Sequence, residues 1–237
     1  MTDTNNQNIP TILKNIGSAK RIAIILPSQL NIDLMGAATA FEAALASQDK
    51  TAMIFSADKN LPEMAFIKNP PQIYSELNSS TQLAIKVSNQ NAQPKELRYE
   101  KSDSGLTIFI TPGEGEFKEG DVTVMPGAAN FDLVIILGAV NFEQLGSIYT
   151  ENTKLFFETP NINIDVDPGN EFFGTVNFVQ TTASSISEVV MDIIEVTPDA
   201  LSNEVVSTSL LAGIISQTSS FRDPKTTPQA MLKASRL

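Results

Sequence analysis

The sequence predicts an α/β protein: a parallel sheet flanked by helices, with an antiparallel β meander inserted into it. Three observations point there. Short unbroken apolar runs such as "RIAII" and "DLVIILG" suit strands buried on both faces. Stretches with apolar residues at three- and four-residue spacing stand between such runs and read as helices. Residues 81–126 switch instead to alternation of apolar and polar residues with turn signals between, the pattern of strands with one wet face.

In order, residues 1–18 open on the polar "MTDTNNQNIP" and read as a disordered lead-in to a single domain over 19–237. "KRIAIILPSQ" (20–29) is a buried strand closed by Pro27. "NIDLMGAATAFEAALASQDK" (31–50) is a helix with Asp33 as its N-cap, and "TAMIFSA" (51–57) is the next strand. Strand, helix and strand with short joins form a βαβ unit, hence a parallel pair. "LPEMAFI" and "PQIYSEL" suggest short helices. The meander follows, with "GEGEFKEG" (113–120) as a plain hairpin loop whose three Glu repel phosphate. "FDLVIILGAV" (131–140) resumes the sheet, "NFEQLGSIY" is a short helix, and "NINIDV" and "TVNFVQ" (175–180) are strands. "TASSISEVVMDIIEV" (182–196) is an amphipathic helix; a second long helix begins with Thr197 as N-cap and Pro198 in its first turn, and the tail helix has the same Thr-Pro start.

Composition removes several chemistries. The 237 residues contain no Cys and no His, so disulfides, thiolate zinc sites, cysteine nucleophiles and Ser-His-Asp catalysis are excluded. Any metal site must use oxygen ligands, which favours Mg, Mn or Ca. A net charge of −11 repels phosphate backbones, so binding to duplex nucleic acid is not expected. No apolar run approaches the roughly 20 residues of a membrane span, no secretory pattern opens the chain, and a cytoplasmic setting is expected. No Walker lysine motif and no GxGxxG follows a strand.

In open parallel sheets ligands sit at the C-terminal ends of strands. Those ends are Pro27 to Asp33, Gly138 to Asn141 and Asp165 to Asp167, joined by Gln217 and Thr218 at the end of the long helix. Asp165 and Asp167, before Pro-Gly-Asn, read first as turn residues and second as remains of a ligand pocket. Ser184, Ser185 and Ser187 read as helix caps, though a helix N-terminus facing the cleft would suit an anion, with Ser184, Ser185 and Arg222 as its ligands. Gly36 would let helix and sheet approach closely, and the Phe172–Phe173 pair reads as core.

Across about residues 21–67 and 131–232 the chain resembles the DHH phosphoesterases, the family of RecJ-type exonucleases, nano-RNases and inorganic pyrophosphatases. The family's strand-following pattern is His-x-Asn-Pro-Asp-x-Asp-x-x-Gly-Ser; here the run is Pro27-Ser-Gln-Leu-Asn31-Ile-Asp33-Leu-Met-Gly36-Ala37. "FDLVIILGAV" is similar to a strand ending in a metal-binding Asp, and Gly138 stands there. In "INIDVDPGN" the family's Asp-His-His has become Asp165-Val166-Asp167. "STSLLAGIISQTSSF" resembles the last family helix, with Gln217 in place of its Asp, while Thr218 and Phe221 remain. The family's second, substrate-binding domain has no counterpart before Leu237.

The resemblance implies a fold retained beside a dismantled site for two Mn-type ions, whose bridging water would attack phosphorus. It yields the expectation of a catalytically inactive pseudoenzyme acting as a binding or scaffolding module, without cofactor, through a protein partner or self-association into an oligomer. Two alternatives stand beside it. One is a residual phosphoesterase holding one Mn or Mg on Asp33, Asp165 and Asp167. The other is a sensor that binds a nucleotide or cyclic dinucleotide in the old cleft without turnover.

Overall fold

The structure is a computed structural model and describes residues 8–58, 60–64, 67, 70–77, 83–102, 105–126 and 130–237. In chain order its elements are α1 (Asn8–Ser18), β1 (Arg21–Ile25), α2 (Ile32–Ala46), β2 (Thr51–Phe55), β3 (Ile73–Tyr74), β4 (Leu83–Val87), β5 (Ala92–Ser102), β6 (Gly105–Gly115), β7 (Val122–Pro126), β8 (Leu133–Leu137), α3 (Ser147–Thr150), α4 (Thr153–Glu158), β9 (Asn161–Asp165), β10 (Val176–Val179), α5 (Ile186–Ile194), α6 (Glu204–Gln217) and α7 (Pro228–Ala234). They fall into two compact units, one running to residue 77 and resuming at 130, the other spanning 78–129. Among the described residues no helix is long and apolar enough to cross a membrane.

The first unit is built on a six-stranded parallel sheet in the order β10-β9-β8-β1-β2-β3. β1 and β8 are buried almost throughout, as continuous apolar strands require when both faces are covered, and β9 is buried too, with Ile162 and Ile164 on one face and Asn161, Asn163 and Asp165 on the other. Ile22, Ile24, Leu133 and Ile135 on one face and Ala23, Ile25, Val134 and Ile136 on the other all lie within the core. Each large apolar side chain buried this way contributes about 1.5–3 kcal/mol. α2 is apolar on nearly every side because it runs between the sheet, α5 and α6. From β1 the chain first builds β2 and β3 on one side, then returns to build β8, β9 and β10 on the other. The connections therefore diverge between β1 and β8, where an open sheet leaves its crevice.

Several elements differ from expectation. The lead-in is helical from residue 8: α1 buries Ile12 and Ile16, one turn apart, and Asn8 donates to the Asn177 carbonyl at 2.7 Å. The short helices expected at 61–67 and 71–77 do not form. Leu61–Met64 is irregular, residues 65 and 66 lie outside the described set, and Ile73–Tyr74 extends the sheet as β3. α6 starts at Glu204 rather than after Thr197, because Asn203 supplies the cap, accepting from Val205 and Val206. Thr197 instead closes the end of α5 through its amide to Ile194. The tail helix keeps its Thr-Pro start, with Thr227 accepting from Ala230. Gly36 serves helix–helix rather than helix–sheet packing: a Cβ there would stand 2.4 Å from the Ser209 carbonyl of α6.

In the second unit the antiparallel segments are not a consecutive meander. β4 pairs with β7, and β5 with β6. "GEGEFKEG" is accordingly no hairpin loop: it ends β6 and leads through a 3-10 turn at Glu119–Asp121 into β7, which does not pair with β6.

Candidate functional site

A cleft of about 920 Å3 opens at the C-terminal ends of the first unit's strands. Pro27, Asn31, Asp33, Gly138, Asp165, Val166, Asp167, Ser184 and Gln217 all line it, brought together from five separate stretches of sequence. Thr218, Ser185 and Arg222 do not. Thr218 is fully buried as the cap of α6, its hydroxyl donating to the Ile214 carbonyl at 2.7 Å. Ser185 caps α5 by accepting from the Glu188 amide, and Arg222 is exposed with Nε donating to the Ser219 carbonyl.

Asn31 and the carboxylates on the cleft floor are already engaged as hydrogen-bond acceptors within the protein. Asn31, not Asp33, is the N-cap of α2, accepting from the Leu34 amide at 2.9 Å. Asp33 sits in the first turn and reaches across to the neighbouring helix. Its Oδ2 accepts from the Ile186 amide at 2.7 Å and its Oδ1 from the Ser187 amide at 2.9 Å. These are first-turn donors of α5, which have no partner within their own helix. The helix end that could have taken an external anion is thus filled by this carboxylate. Burial pushes the Asp33 pKa above its ordinary value, outweighing the hydrogen bonds from Ser187 and Ile186 that pull it down; Glu188 adds to the rise. Gly213 of α6 makes room for this arrangement: a Cβ there would stand 2.0 Å from Ser187 Oγ and 2.9 Å from Asp33 Oδ1. Ser184 donates its amide and hydroxyl to Glu188 Oε2 at 3.0 and 2.8 Å.

At the end of β9, Asp165 is buried, with Oδ1 accepting from the amides of Val166 and Asp167 and Oδ2 from Asn170 Nδ2 at 2.7 Å. Asp167 folds its Oδ1 onto the Gly169 amide at 2.7 Å, an Asx turn. Val166 is half-buried and packs on the core. Gly138 has φ +69°, and a Cβ on it would meet Leu34 Cδ2 at 2.3 Å. Where the resemblance places a metal-binding Asp, this backbone disfavours any side chain.

Behind the loop lies a buried amide network that sequence reading did not find. Asn163 donates to Asn170 and Asn177, and Asn170 donates to the Ala139 carbonyl and to Asp165 while accepting from Phe172. Phe172 is held at φ +55° and is 62% exposed, so it is not the core residue expected. Also missed were Glu143 and Gln144, Thr181 and Thr182, and Lys225 and Thr227 along the cleft wall. The strand-end rule applied to β10 would have found the threonines; Lys225 reaches the cleft only because the chain folds back after α6. The basic tail is otherwise structural. Lys233 is buried against Asp192 at 2.7 Å and the Glu188 carbonyl at 2.9 Å, and Arg236 pairs with Glu195.

The two ions implied by the resemblance do not fit this donor set. Gly138 and Val166 offer no ligand atom, Asn31 and Gln217 are neutral, and the carboxylates of Asp33, Asp165 and Asp167 are held by backbone amides or Asn170. Among the described residues no group of three His, Cys, Asp or Glu is arranged to hold a metal.

No protein-family model matches the chain. No curated protein matches it in sequence either. Among solved structures, an exopolyphosphatase-related protein from Bacteroides fragilis shares the fold at a TM-score of 0.63 and 14% identity. The match covers 100% of this chain and 57% of the other, so the chain spans little more than half the length of that neighbour. At this identity the likeness concerns architecture: the chain has the α/β fold of a protein described as exopolyphosphatase-related.

Proposed function

We propose that this chain is a phosphoesterase-like module without phosphoesterase catalysis, acting by binding. The observation that carries the reading is the use of Asp33, Asp165 and Asp167 as internal hydrogen-bond acceptors, a cap for α5 and two turns, in a cleft whose other ligand positions hold Gly138 and Val166. Two adjacent divalent ions need several free anionic donors, and loss of even one ligand usually lowers rate by orders of magnitude. The carboxylates here contribute to folding in place of metal binding.

The test is direct. Purified chain incubated with pyrophosphate, polyphosphate, short oligonucleotides and cyclic dinucleotides, in Mn2+ or Mg2+, is expected to release no product above a protein-free control. Turnover that disappears in Asp165→Ala while the fold persists would refute the proposal.

The open cleft, with Lys225, Thr181 and Thr182 on its wall, supports a second reading as a non-catalytic nucleotide sensor. A nucleotide at 100 times its Kd would raise stability by about 2.7 kcal/mol, visible in a thermal shift. No shift with any nucleotide would dismiss that reading and leave the first intact.

A further inference from the structure

The second unit carries an exposed apolar face whose own ladder cannot cover it. In the β5–β6 ribbon, Leu97 stands opposite Ile110, Tyr99 opposite Ile108 and Lys101 opposite Leu106. Directly opposed residues share a face, so one side of the ribbon is aliphatic and aromatic except for Lys101 at its end. The other side opposes Glu96 with Thr111, Arg98 with Phe109 and Glu100 with Thr107. That side is satisfied internally: the Arg98 guanidinium lies 4.5 Å from the Phe109 ring centre and 3.4 Å from Glu100. On the apolar side Leu97 is 66% exposed, Tyr99 68% and Leu106 60%. The β4–β7 ladder repeats the arrangement, with Ile85 opposite Val124 and Val87 opposite Val122. Ile85, Val122 and Val124 are also exposed.

Two-stranded ribbons are marginal in water unless further strands or a packing partner cover their apolar side. We propose that the covering partner is a second copy of this chain, the apolar sides of two ribbons packing face to face about a two-fold axis. Charge favours this occupant. Residues 83–126 carry five Lys or Arg and seven Asp or Glu, a net of −2, so of the total −11 the remainder of the chain holds −9. Two near-neutral ribbons can meet without the repulsion that the acidic remainder would impose, and the apolar side offers a charged partner only Lys101 at its end. Area sets the strength of the contact. Burying an aliphatic side chain removes on the order of 100 Å2 from water. With Ile108 at 36% exposure, the seven exposed side chains of the two ladders offer at most roughly 400 Å2 per copy, about half of the ~800 Å2 per partner in a standard interface, which fits a weak, concentration-dependent dimer. A two-fold contact needs only one self-complementary patch. This inference does not depend on whether the cleft is catalytic.

The full chain is to be followed by sedimentation and light scattering from low to high micromolar concentration. A concentration-dependent dimer is expected, weakened at least ~30-fold by Tyr99→Glu or Leu97→Glu and unchanged by Glu100→Gln on the opposite side. Helical circular dichroism should match in all four proteins, since these side chains are exposed. The chain has no cysteine, so Ile108→Cys provides a second measurement: mild oxidation should link two copies, and Thr107→Cys should not. A monomer at every concentration overturns the proposal, as does a dimer indifferent to Tyr99→Glu or equal cross-linking by the two cysteine variants. A monomeric chain that instead seats lipid vesicles or a different protein on this face overturns it too.

Discussion

Replacing Asp33 by Ala separates a capping role from a ligand role. The substitution deprives the Ile186 and Ser187 amides, bonded at 2.7 and 2.9 Å, of their acceptors. A buried amide without a partner costs about 1–3 kcal/mol, and a carboxylate at a helix N-terminus contributes up to ~2 kcal/mol more. Opposing this is the desolvation of a side chain only 3% exposed, the same burial that raises its pKa. Water entering from the cleft can also satisfy one of the two amides. The net expectation is a loss of about 2–4 kcal/mol at neutral pH. The assay is urea unfolding followed by circular dichroism at helical wavelengths, because the chain has no Trp and the described residues of the second unit form no α-helix. The signal therefore reports the unit that contains Asp33.

The pH dependence supplies a second arm. The folded pKa of Asp33 lies above its ordinary 3.8. Protonation thus favours the folded state, so the stability this group contributes is complete below the unfolded value and is lost as pH rises through the folded one. The gap between wild type and Asp33→Ala should be widest in acid and narrow toward neutrality. A loss under about 0.5 kcal/mol, or a gap that widens as pH rises, would refute the capping argument.

Other perturbations follow from the same geometry. Gly138→Asp, which restores an acid where the resemblance places a metal ligand, should destabilise by about 1–3 kcal/mol through its left-handed backbone and the Leu34 side chain, with no recovery in thermal melts when Mn2+ is added. Asn170→Ala strips Asp165 and the Ala139 carbonyl of a donor and the Phe172 amide of its acceptor; a loss of about 2–4 kcal/mol in urea is expected, with faster limited proteolysis in the 166–175 loop. Lys233→Met leaves the buried Glu188 and the largely buried Asp192 without their cation and should cost about 3–5 kcal/mol, measured by the same unfolding assay.

The sheet was legible because burial on both faces writes itself into sequence as unbroken apolar runs. "RIAII" and "LVIIL" need no tertiary knowledge to be recognised. Strand pairing in the second unit was not legible, because alternation specifies which side is wet but not which strand is the neighbour; β7 passes β6 and returns to β4. The cleft's membership followed from the strand-end rule, since that rule concerns topology alone. What each residue does there depends on contacts between distant segments. Asp33 looks like a local cap, yet its acceptors meet amides more than 150 residues away, and Asn31 two positions earlier takes the local role. A carboxylate at the mouth of a strand is therefore weak evidence for a metal. The same oxygen atoms that could coordinate an ion here satisfy a helix end and two turns. Gly138 carries the argument further: its positive φ and the Leu34 side chain close the position against a carboxylate, so a metal site here would require backbone and packing to change together.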